Sequence, residues 1–340
     1  MTVSAADIQQ AASILESGGL VAFPTETVYG LGADAENPAA IAKIFEVKGR
    51  PVNHPLIVHL APEADVGYWT QEIPDEAKKL MSAFWPGPLT LILKRATRIP
   101  AEVAGGQDTI GLRCPSHPVA QALLRAFRQG KGGIAAPSAN RFGHVSPTTA
   151  QHVRDEFGEQ PRIGAILDGG QSEVGIESTI LDLSRIGTHG LVLLRPGHIS
   201  AEAITKVLGV APAAPDSAAP RASGTLDSHY APRTAVAIVS TDNLRGVLRK
   251  FTRAGRLVAI MCHSPMILPD ALAQIALPDA PEGYAHELYA ALRAMDDVHA
   301  DLILVEAPPS APEWVGINDR LRRAVHGTNG RLDKFLQSGS

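Results

Sequence analysis

Short apolar runs alternate with helix-length amphipathic stretches along most of the chain. Leu20–Phe23, Leu56–Leu60, Leu89–Leu93, Thr109–Arg113, Ile134–Ala136, Ile163–Leu167, Ile180–Leu183 and Leu191–Leu194 have the length and composition of strands. Ser4 with Asp7 forms a capping pair, Ile8, Ala11, Ala12 and Leu15 follow at helical spacing, and Gly18-Gly19 ends that helix. Asn37-Pro38 opens a second helix with an apolar stripe of Ile41, Ile44 and Phe45. Residues 74–84 and 117–127 read as further helices, and Thr148 reads as the cap of another. Strands interleaved with helices predict an α/β architecture.

The pattern lapses after Val210. Residues 211–222 are mostly Ala and Pro without apolar periodicity, the signature of a semi-extended linker, and its end carries the pair His229-Tyr230. Strands at Ala235–Val239, Leu257–Cys262 and Leu302–Val305 then alternate with helices near 242–253, 283–297 and 317–326. The predicted division is a first domain over 1–208, a linker acting as a lid over 209–233, and a small parallel α/β domain over 234–335. The second domain has no glycine-rich dinucleotide fingerprint, so it reads as a packing or lid-positioning module.

Composition narrows this picture. A chain of 340 residues is long for one core. The apolar fraction of 45% and charged fraction of 19% describe a globular protein. No apolar run approaches the roughly 18–20 residues of a membrane span, and the first residues have neither the basic region nor the apolar core of a signal peptide. Two cysteines, Cys114 and Cys262, cannot build a disulfide framework, and the expectation is a cytoplasmic protein with no membrane partner. A net charge of −4 argues against a broad nucleic-acid face but leaves room for a local basic pocket.

Candidate chemistry gathers where strands end. In LVAFPTETVYGLGA, Leu20–Ala33, Pro24 stops a strand, Thr25-Glu26-Thr27 sits at its end, and Gly30 and Gly32 read as a turn permitting close approach of a ligand. Lys48-Gly49-Arg50-Pro51 puts two cations at a helix end, where they either complement the dipole or grip phosphate. His59 lies inside an apolar strand and reads by itself as a hydrogen-bonded core residue, while Arg113 closes a strand facing a cleft. Pro137-Ser138-Ala139-Asn140 repeats the strand–proline–polar pattern outside any Gly-x-Ser-x-Gly elbow, so Ser138, Asn140 and Ser146 read as hydrogen-bonding groups, not nucleophiles. Trp85-Pro86-Gly87-Pro88 reads as a packing turn, and Arg195 is a fourth candidate cation. Neither a P-loop nor a His-Glu-x-x-His motif is present, so no resident metal is expected.

Eight pieces in order, from Phe23–Leu31 through Lys48–Pro51, Pro55–His59, Trp85–Thr90, Pro137–Asn140, Ser146–Thr148 and Glu177–Thr179 to Arg195–Gly197, resemble the threonylcarbamoyl-AMP synthase (YrdC-like) family. His229–Pro232 and the second domain resemble its long, two-domain form, although His54 and Gly224–Ser228 depart from the usual pattern. The resemblance implies an open twisted mixed sheet with helices, followed by a smaller Rossmann-like parallel α/β domain. It implies a nucleotidyltransferase that makes threonylcarbamoyl-AMP and pyrophosphate from L-threonine, bicarbonate or CO₂, and ATP. The product serves threonylcarbamoyladenosine modification of tRNA. Carried over residue by residue, Lys48 and Arg50 hold phosphates as the catalytic pair. Thr27, His59, Arg113, Ser138 and Ser178 bind threonine. Arg50, His54, Thr109, Asn140, Ser146, Arg195 and Tyr230 bind ATP, with Mg²⁺ carried on the nucleotide. Expected partners are the downstream tRNA threonylcarbamoyl-transfer proteins, with weak RNA binding. The reading from another class is a non-catalytic double-stranded RNA or tRNA-binding module.

Overall fold

A computed structural model describes residues 3–158, 162–225 and 229–325 and resolves them into two compact units. The first comprises residues 1–142 and 146–225, and the second residues 143–145 and 226–340.

The first unit is built on a nine-stranded mixed sheet. Its strands are β1 (Leu20–Phe23), β2 (Gly30–Asp34), β3 (Ile57–Leu60), β4 (Leu89–Lys94), β5 (Thr109–Arg113), β6 (Gly133–Ala135), β7 (Ile163–Ile166), β8 (Thr179–Asp182) and β9 (Val192–Arg195). Their order is β7-β1-β2-β6-β3-β5-β4-β8-β9. β1/β7, β3/β5 and β4/β8 are parallel pairs, and the other neighbours are antiparallel.

Alternation along these strands gives the sheet two different faces. Leu31, Val58, Leu91, Leu112 and Leu181 turn to one side, into a core shared with the helices Pro38–Lys48, Asp75–Phe84, Ala150–Phe157 and Ala201–Leu208. On the other side, Val21, Phe23 and Ile134 are covered by Ala5–Glu16 and Pro118–Ala126. Farther along that second face, Ile57, Ile92 and Ile180 pack with Ala222.

The caps follow the sequence. Ser4 and Asp7 form the expected capping box, and Asn37 caps the helix that Pro38 begins. The cap at Ala150–Phe157 is Thr149, whose side chain accepts from His152 N, rather than the expected Thr148. Thr148 N instead donates to His152 Nδ1.

Two expectations change here. Gly30 and Gly32 do not form a turn; they belong to β2. They are small because the strand runs beneath Phe23: a Cβ on Gly32 would lie 2.8 Å from both Phe23 Cε1 and Ile134 Cγ2. The first unit also extends to Thr225, past the expected boundary at 208. Part of the expected linker is docked against β9, where Leu193 N donates to Ala213 O (2.9 Å) and Ala213 N to Leu191 O (2.8 Å).

The second unit is a parallel four-stranded sheet of β10 (Ala235–Val239), β11 (Val258–Cys262), β12 (Ala273–Ala276) and β13 (Leu302–Glu306), in the order β10-β13-β11-β12. Thr241–Arg253, Pro281–Asp297 and Val315–Ala324 are its helices. This is the expected Rossmann-like unit with one strand, β12, that the sequence pattern did not reveal. Ligands of such sheets sit at the carboxyl ends of the strands. Here Glu306, fully buried at that end of β13, accepts from Thr241 Oγ1 (2.8 Å), His263 N (2.8 Å) and Ser264 N (2.9 Å). The chain's own carboxylate ties the loops of the crevice together. Among the described residues no helix is long and apolar enough to cross a membrane.

Candidate active site

Strand register sets out the site. His59 pairs with Arg113 across β3/β5, Thr90 with Ile180 across β4/β8, and Ile180 with Arg195 across β8/β9. Period-two alternation therefore turns Thr109, Arg113, His59 and Thr90 to the same face, the one partly covered by Ala222, and the register shift between Ile180 and Leu181 keeps Arg195 opposite Ile180 on that face. Thr109 starts β5 and is level with Pro55, two residues before the Ile57–Gly111 pair, while Arg113 ends the strand.

Lys48 ends its helix where Gly49 takes φ +62° and turns the chain. Its ammonium is buried and donates to Ser138 O (2.6 Å) and to Asn140 O. Phe142 N returns a bond to Lys48 O (2.8 Å), so both ends of the 138–142 loop are clipped to this one residue. Ala139 N donates to Tyr29 O (2.8 Å), which fastens the same loop beside β2. Burial, and then the Arg50 charge, push the Lys48 ammonium well below the ordinary lysine range. The resting cation is thus disfavoured, and an arriving anion would favour it.

Arg50 is buried, with Nη2 donating to Pro55 O (3.0 Å) and Ser223 Oγ (3.1 Å). Its guanidinium carbon lies 5.7 Å from the Phe142 ring centroid, and the His54 ring meets Phe142 edge-on at 5.3 Å. Burial, Arg50 and Arg221 lower the His54 pKa, so this corner is already electropositive. Ser223 also links the second cation: its carbonyl accepts from Arg195 Nη1 (2.8 Å). Arg195 in turn donates from Nε to Ser178 O (3.0 Å) and from Nη2 to Ser178 Oγ (3.1 Å), while Thr90 Oγ1 lies 2.8 Å from that hydroxyl. Lys48 with Ser138 and Asn140 forms one cluster; Arg50, Arg195 and Ser178 form another through Ser223.

Arg113 is engaged on one side. Its Nη2 lies 2.6 Å from Glu26 Oε1, and Ser116 N holds Glu26 Oε2 at 3.1 Å. Arg113 Nη1 makes no hydrogen bond among the described residues. His59, its cross-strand neighbour, is buried against the Phe23 ring at 6.1 Å. Among the described residues its Nδ1 has no hydrogen-bond partner, and burial and then the Arg113 charge lower its pKa to about 3. Neutral imidazole is a donor and an acceptor poised for a small polar ligand.

Thr27 is fully buried, its hydroxyl 2.9 Å from Thr25 Oγ1, which also donates to Val28 O (2.6 Å). Ser146 Oγ donates to Glu177 Oε1 (2.6 Å), and Asn140 Nδ2 to Arg141 O (2.7 Å). Tyr230 belongs to the second unit, at φ +61°, with Tyr289 at 5.7 Å and Arg320 at 5.5 Å from its ring. Sequence reasoning gave no role to Thr25, Glu26, Thr90, Glu177 or Ser223. Thr25 and Glu26 lay in the polar triplet at a strand end, and Thr90 and Glu177 in pieces that carried the resemblance; Ser223 lay in none of them.

The buried set holds Lys48, Arg50, Arg113 and Arg195 against Glu26 and Glu177, with hydroxyls between. That excess of cations suits an anionic ligand, and the hydroxyls suit a small polar one. Among the described residues no three or more His, Cys, Asp or Glu side chains gather where they could hold a metal.

Residues 13–197 match the Sua5/YciO/YrdC family model, described as telomere recombination, and residues 199–325 match the threonylcarbamoyl-AMP synthase C-terminal domain. The chain is 40% identical to the threonylcarbamoyl-AMP synthase of Pyrococcus abyssi, over 93% of each chain. It is 38% identical to the enzyme of that name from Bacillus subtilis, over 94% of this chain and 93% of the other. A solved structure of P. abyssi Sua5 complexed with L-threonine superposes with a TM-score of 0.87 at 37% identity, covering 96% of both chains. With both matched segments present and the likeness running nearly end to end, the chain belongs to the threonylcarbamoyl-AMP synthase family, in its two-domain form.

Proposed function

We propose that this protein is an L-threonylcarbamoyladenylate synthase, a nucleotidyltransferase serving threonylcarbamoyladenosine modification of tRNA. The threonine amine adds to CO₂, from bicarbonate, and gives a carbamate. A carbamate oxygen bonds to the α-phosphorus of ATP, the bond to the β-phosphate bridge breaks, and pyrophosphate leaves. No protein nucleophile is required; the work is placement and charge neutralisation. Alignment of the two reactants can supply on the order of 7–11 kcal/mol of the barrier.

Lys48 and Arg50 hold the phosphates in this scheme. Lys48 is suited to it because its ammonium, cramped by burial and by Arg50, is relieved by a polyanion. Arg113 takes threonine's carboxylate on Nη1 while Glu26 fixes the other side of the fork. Thr27, His59, Ser138 and Ser178 take threonine's remaining polar groups. His54, Thr109, Asn140, Ser146 and Arg195 serve the nucleotide, and magnesium arrives as part of MgATP. Residues 219–225 act as a lid, which would keep water from a labile carbamate and a reactive adenylate.

The observation that carries the reading is the Arg50–Ser223–Arg195–Ser178 chain, which puts two buried cations and a hydroxyl of the sheet face into one hydrogen-bonded group. RNA backbone binding would need the cations but not the buried hydroxyls. The test is pyrophosphate release from ATP without RNA. Release that requires both threonine and bicarbonate is expected; release indifferent to threonine, or none, would overturn the proposal.

A further inference from the structure

Thr90 is the one polar residue in the buried part of β4, where its neighbours are Leu89, Leu91, Ile92 and Leu93. It is fully buried, and strand alternation turns it to the same face as Ile92. Its methyl converges with Ile57 Cγ1 and Ile92 Cδ1 on the place that a Cβ of Gly111 would take, at 3.6, 3.5 and 3.1 Å. A valine would fill this space and keep the β-branched shape that strands favour. A hydroxyl in such surroundings is unfavourable unless it is hydrogen-bonded, so its partner is what accounts for it.

That partner is Ser178 Oγ, 2.8 Å away and 88 residues distant in the chain. Ser178 is also fully buried, and its hydroxyl accepts from Arg195 Nη2 (3.1 Å) while its carbonyl accepts from Arg195 Nε (3.0 Å). Among the described residues the two hydroxyls make no other hydrogen bond. A guanidinium only donates, so Arg195 fills one lone pair of Ser178 Oγ and offers no acceptor. Thr90 and Ser178 carry two protons but share one bond, so one proton is left over inside a buried site. Were Ser178 to donate to Thr90, the proton left over would be that of Thr90, beside isoleucine side chains. With Thr90 donating, Arg195 and Thr90 occupy both lone pairs of Ser178 Oγ, and the Ser178 proton takes the one tetrahedral direction that remains. Donation from Thr90 also polarises the Ser178 O–H and strengthens it as a donor.

We propose that Thr90 is a positioning residue that holds the Ser178 hydroxyl as a donor, and that the substrate atom received there is a carbamate oxygen. The inference rests on the adenylate-synthase reading above and names the group that meets Ser178. A donor hydroxyl beside a guanidinium takes oxygen lone pairs and rejects an ammonium. Threonine's amine is therefore excluded from this position. With the carboxylate on Arg113 and the phosphates on Lys48 and Arg50, the charged oxygens left are those the amine gains from CO₂. Threonine's own hydroxyl is neutral and gains less from the guanidinium than a carbamate oxygen does.

The experiment is steady-state pyrophosphate release by the full-length protein, with threonine, bicarbonate and ATP varied in turn. The wild type must need both threonine and bicarbonate; failure at that step strikes the adenylate-synthase reading and this inference together. Thr90→Val should raise KM for bicarbonate on the order of tenfold, the effect of one buried hydrogen bond, and leave KM for threonine and for ATP near their wild-type values. Its melting temperature should change little, because valine has the same shape and Ser178 keeps its bond from Arg195. Thr90→Ser, which retains the hydroxyl, should restore KM for bicarbonate. In a Ser178→Ala background Thr90→Val should add nothing, since Thr90 acts through Ser178. Should Thr90→Val not fold, Thr90→Ala carries the same KM test. An unchanged KM for bicarbonate, or additive losses in the double variant, would overturn the proposal. A lowered melting temperature with all the KM values raised together would make Thr90 a packing residue, and a rise in KM for ATP alone would put a phosphate oxygen at Ser178; either overturns it too.

Discussion

Arg113 and Glu26 meet at 2.6 Å with side chains 5% and 2% exposed, joining the end of β5 to the loop after β1. Removing one partner of such a pair strands a buried charge, which typically costs about 3–5 kcal/mol. Glu26→Gln should therefore lower the melting temperature and let the guanidinium swing. If Arg113 holds the threonine carboxylate as proposed, KM for threonine should rise by an order of magnitude or more while KM for ATP changes little. A variant with both KM values unchanged would separate the ion pair from substrate binding.

His59 gives stability a pH dependence of defined sign. Its folded pKa is lowered to about 3 from an ordinary 6.5, so below 6.5 the unfolded chain binds a proton that the folded one refuses. Its contribution is fully present above pH 6.5 and is lost progressively down to about pH 3. Between pH 7 and pH 5 this amounts to about 2 kcal/mol. Urea unfolding at the two pH values measures it, and His59→Gln should flatten the difference.

Lys48 titrates with the same sign at higher pH. Burial depresses its ammonium, so the unfolded chain holds the extra proton between the depressed value and the ordinary lysine range. Stability from this group rises as pH rises through that window. ATP should reverse the depression and draw a proton from solvent on binding. Calorimetric titrations of ATP in buffers of different ionisation enthalpy should show proton uptake in the wild type and none in Lys48→Met. Lys48→Ala should also cut kcat by two orders of magnitude or more, because it frees the 138–142 loop as well as removing the charge.

Gly32 shows what the sequence conceals. Its position after a proline and a polar triplet reads as a turn, yet it lies in β2, because the side chains of Phe23 and Ile134 occupy the space of its Cβ. Gly32→Ala should cost about 1–3 kcal/mol by overpacking, read as a drop in melting temperature. The nine strands of the first sheet include eight visible as apolar runs, since their periodicity is a local property. β2 is glycine-rich and β12, Ala-Gln-Ile-Ala, is only partly buried, so neither writes a strong apolar signal. The same division holds at the site. Lys48, Arg50, Arg113 and Arg195 announce themselves as cations at element ends, whereas the partners that fix them, Glu26 and Ser223, lie 87 and 173 residues away from Arg113 and Arg50. No local pattern encodes such pairings.

The stretch read as a semi-extended linker is held at specific points, and Gln107 is one that can be released without touching the cations. Its amide oxygen accepts from Arg221 N (2.8 Å) and its amide nitrogen donates to Arg221 O (3.1 Å), gripping the backbone two residues before Ser223. Arg221 Nη2 adds a bond to Gly105 O at 3.0 Å. Gln107→Ala removes the reciprocal pair, worth on the order of 1 kcal/mol per bond, and leaves Arg50, Arg195 and Ser223 chemically intact. If residues 219–225 close over the nucleotide, loosening this anchor should raise KM for ATP about tenfold and raise pyrophosphate release per adenylate recovered, as water reaches the intermediate. Parallel measurement of pyrophosphate and threonylcarbamoyl-AMP gives that ratio. An unchanged ratio with an unchanged KM would assign the segment to packing against β9 and remove it from the reaction.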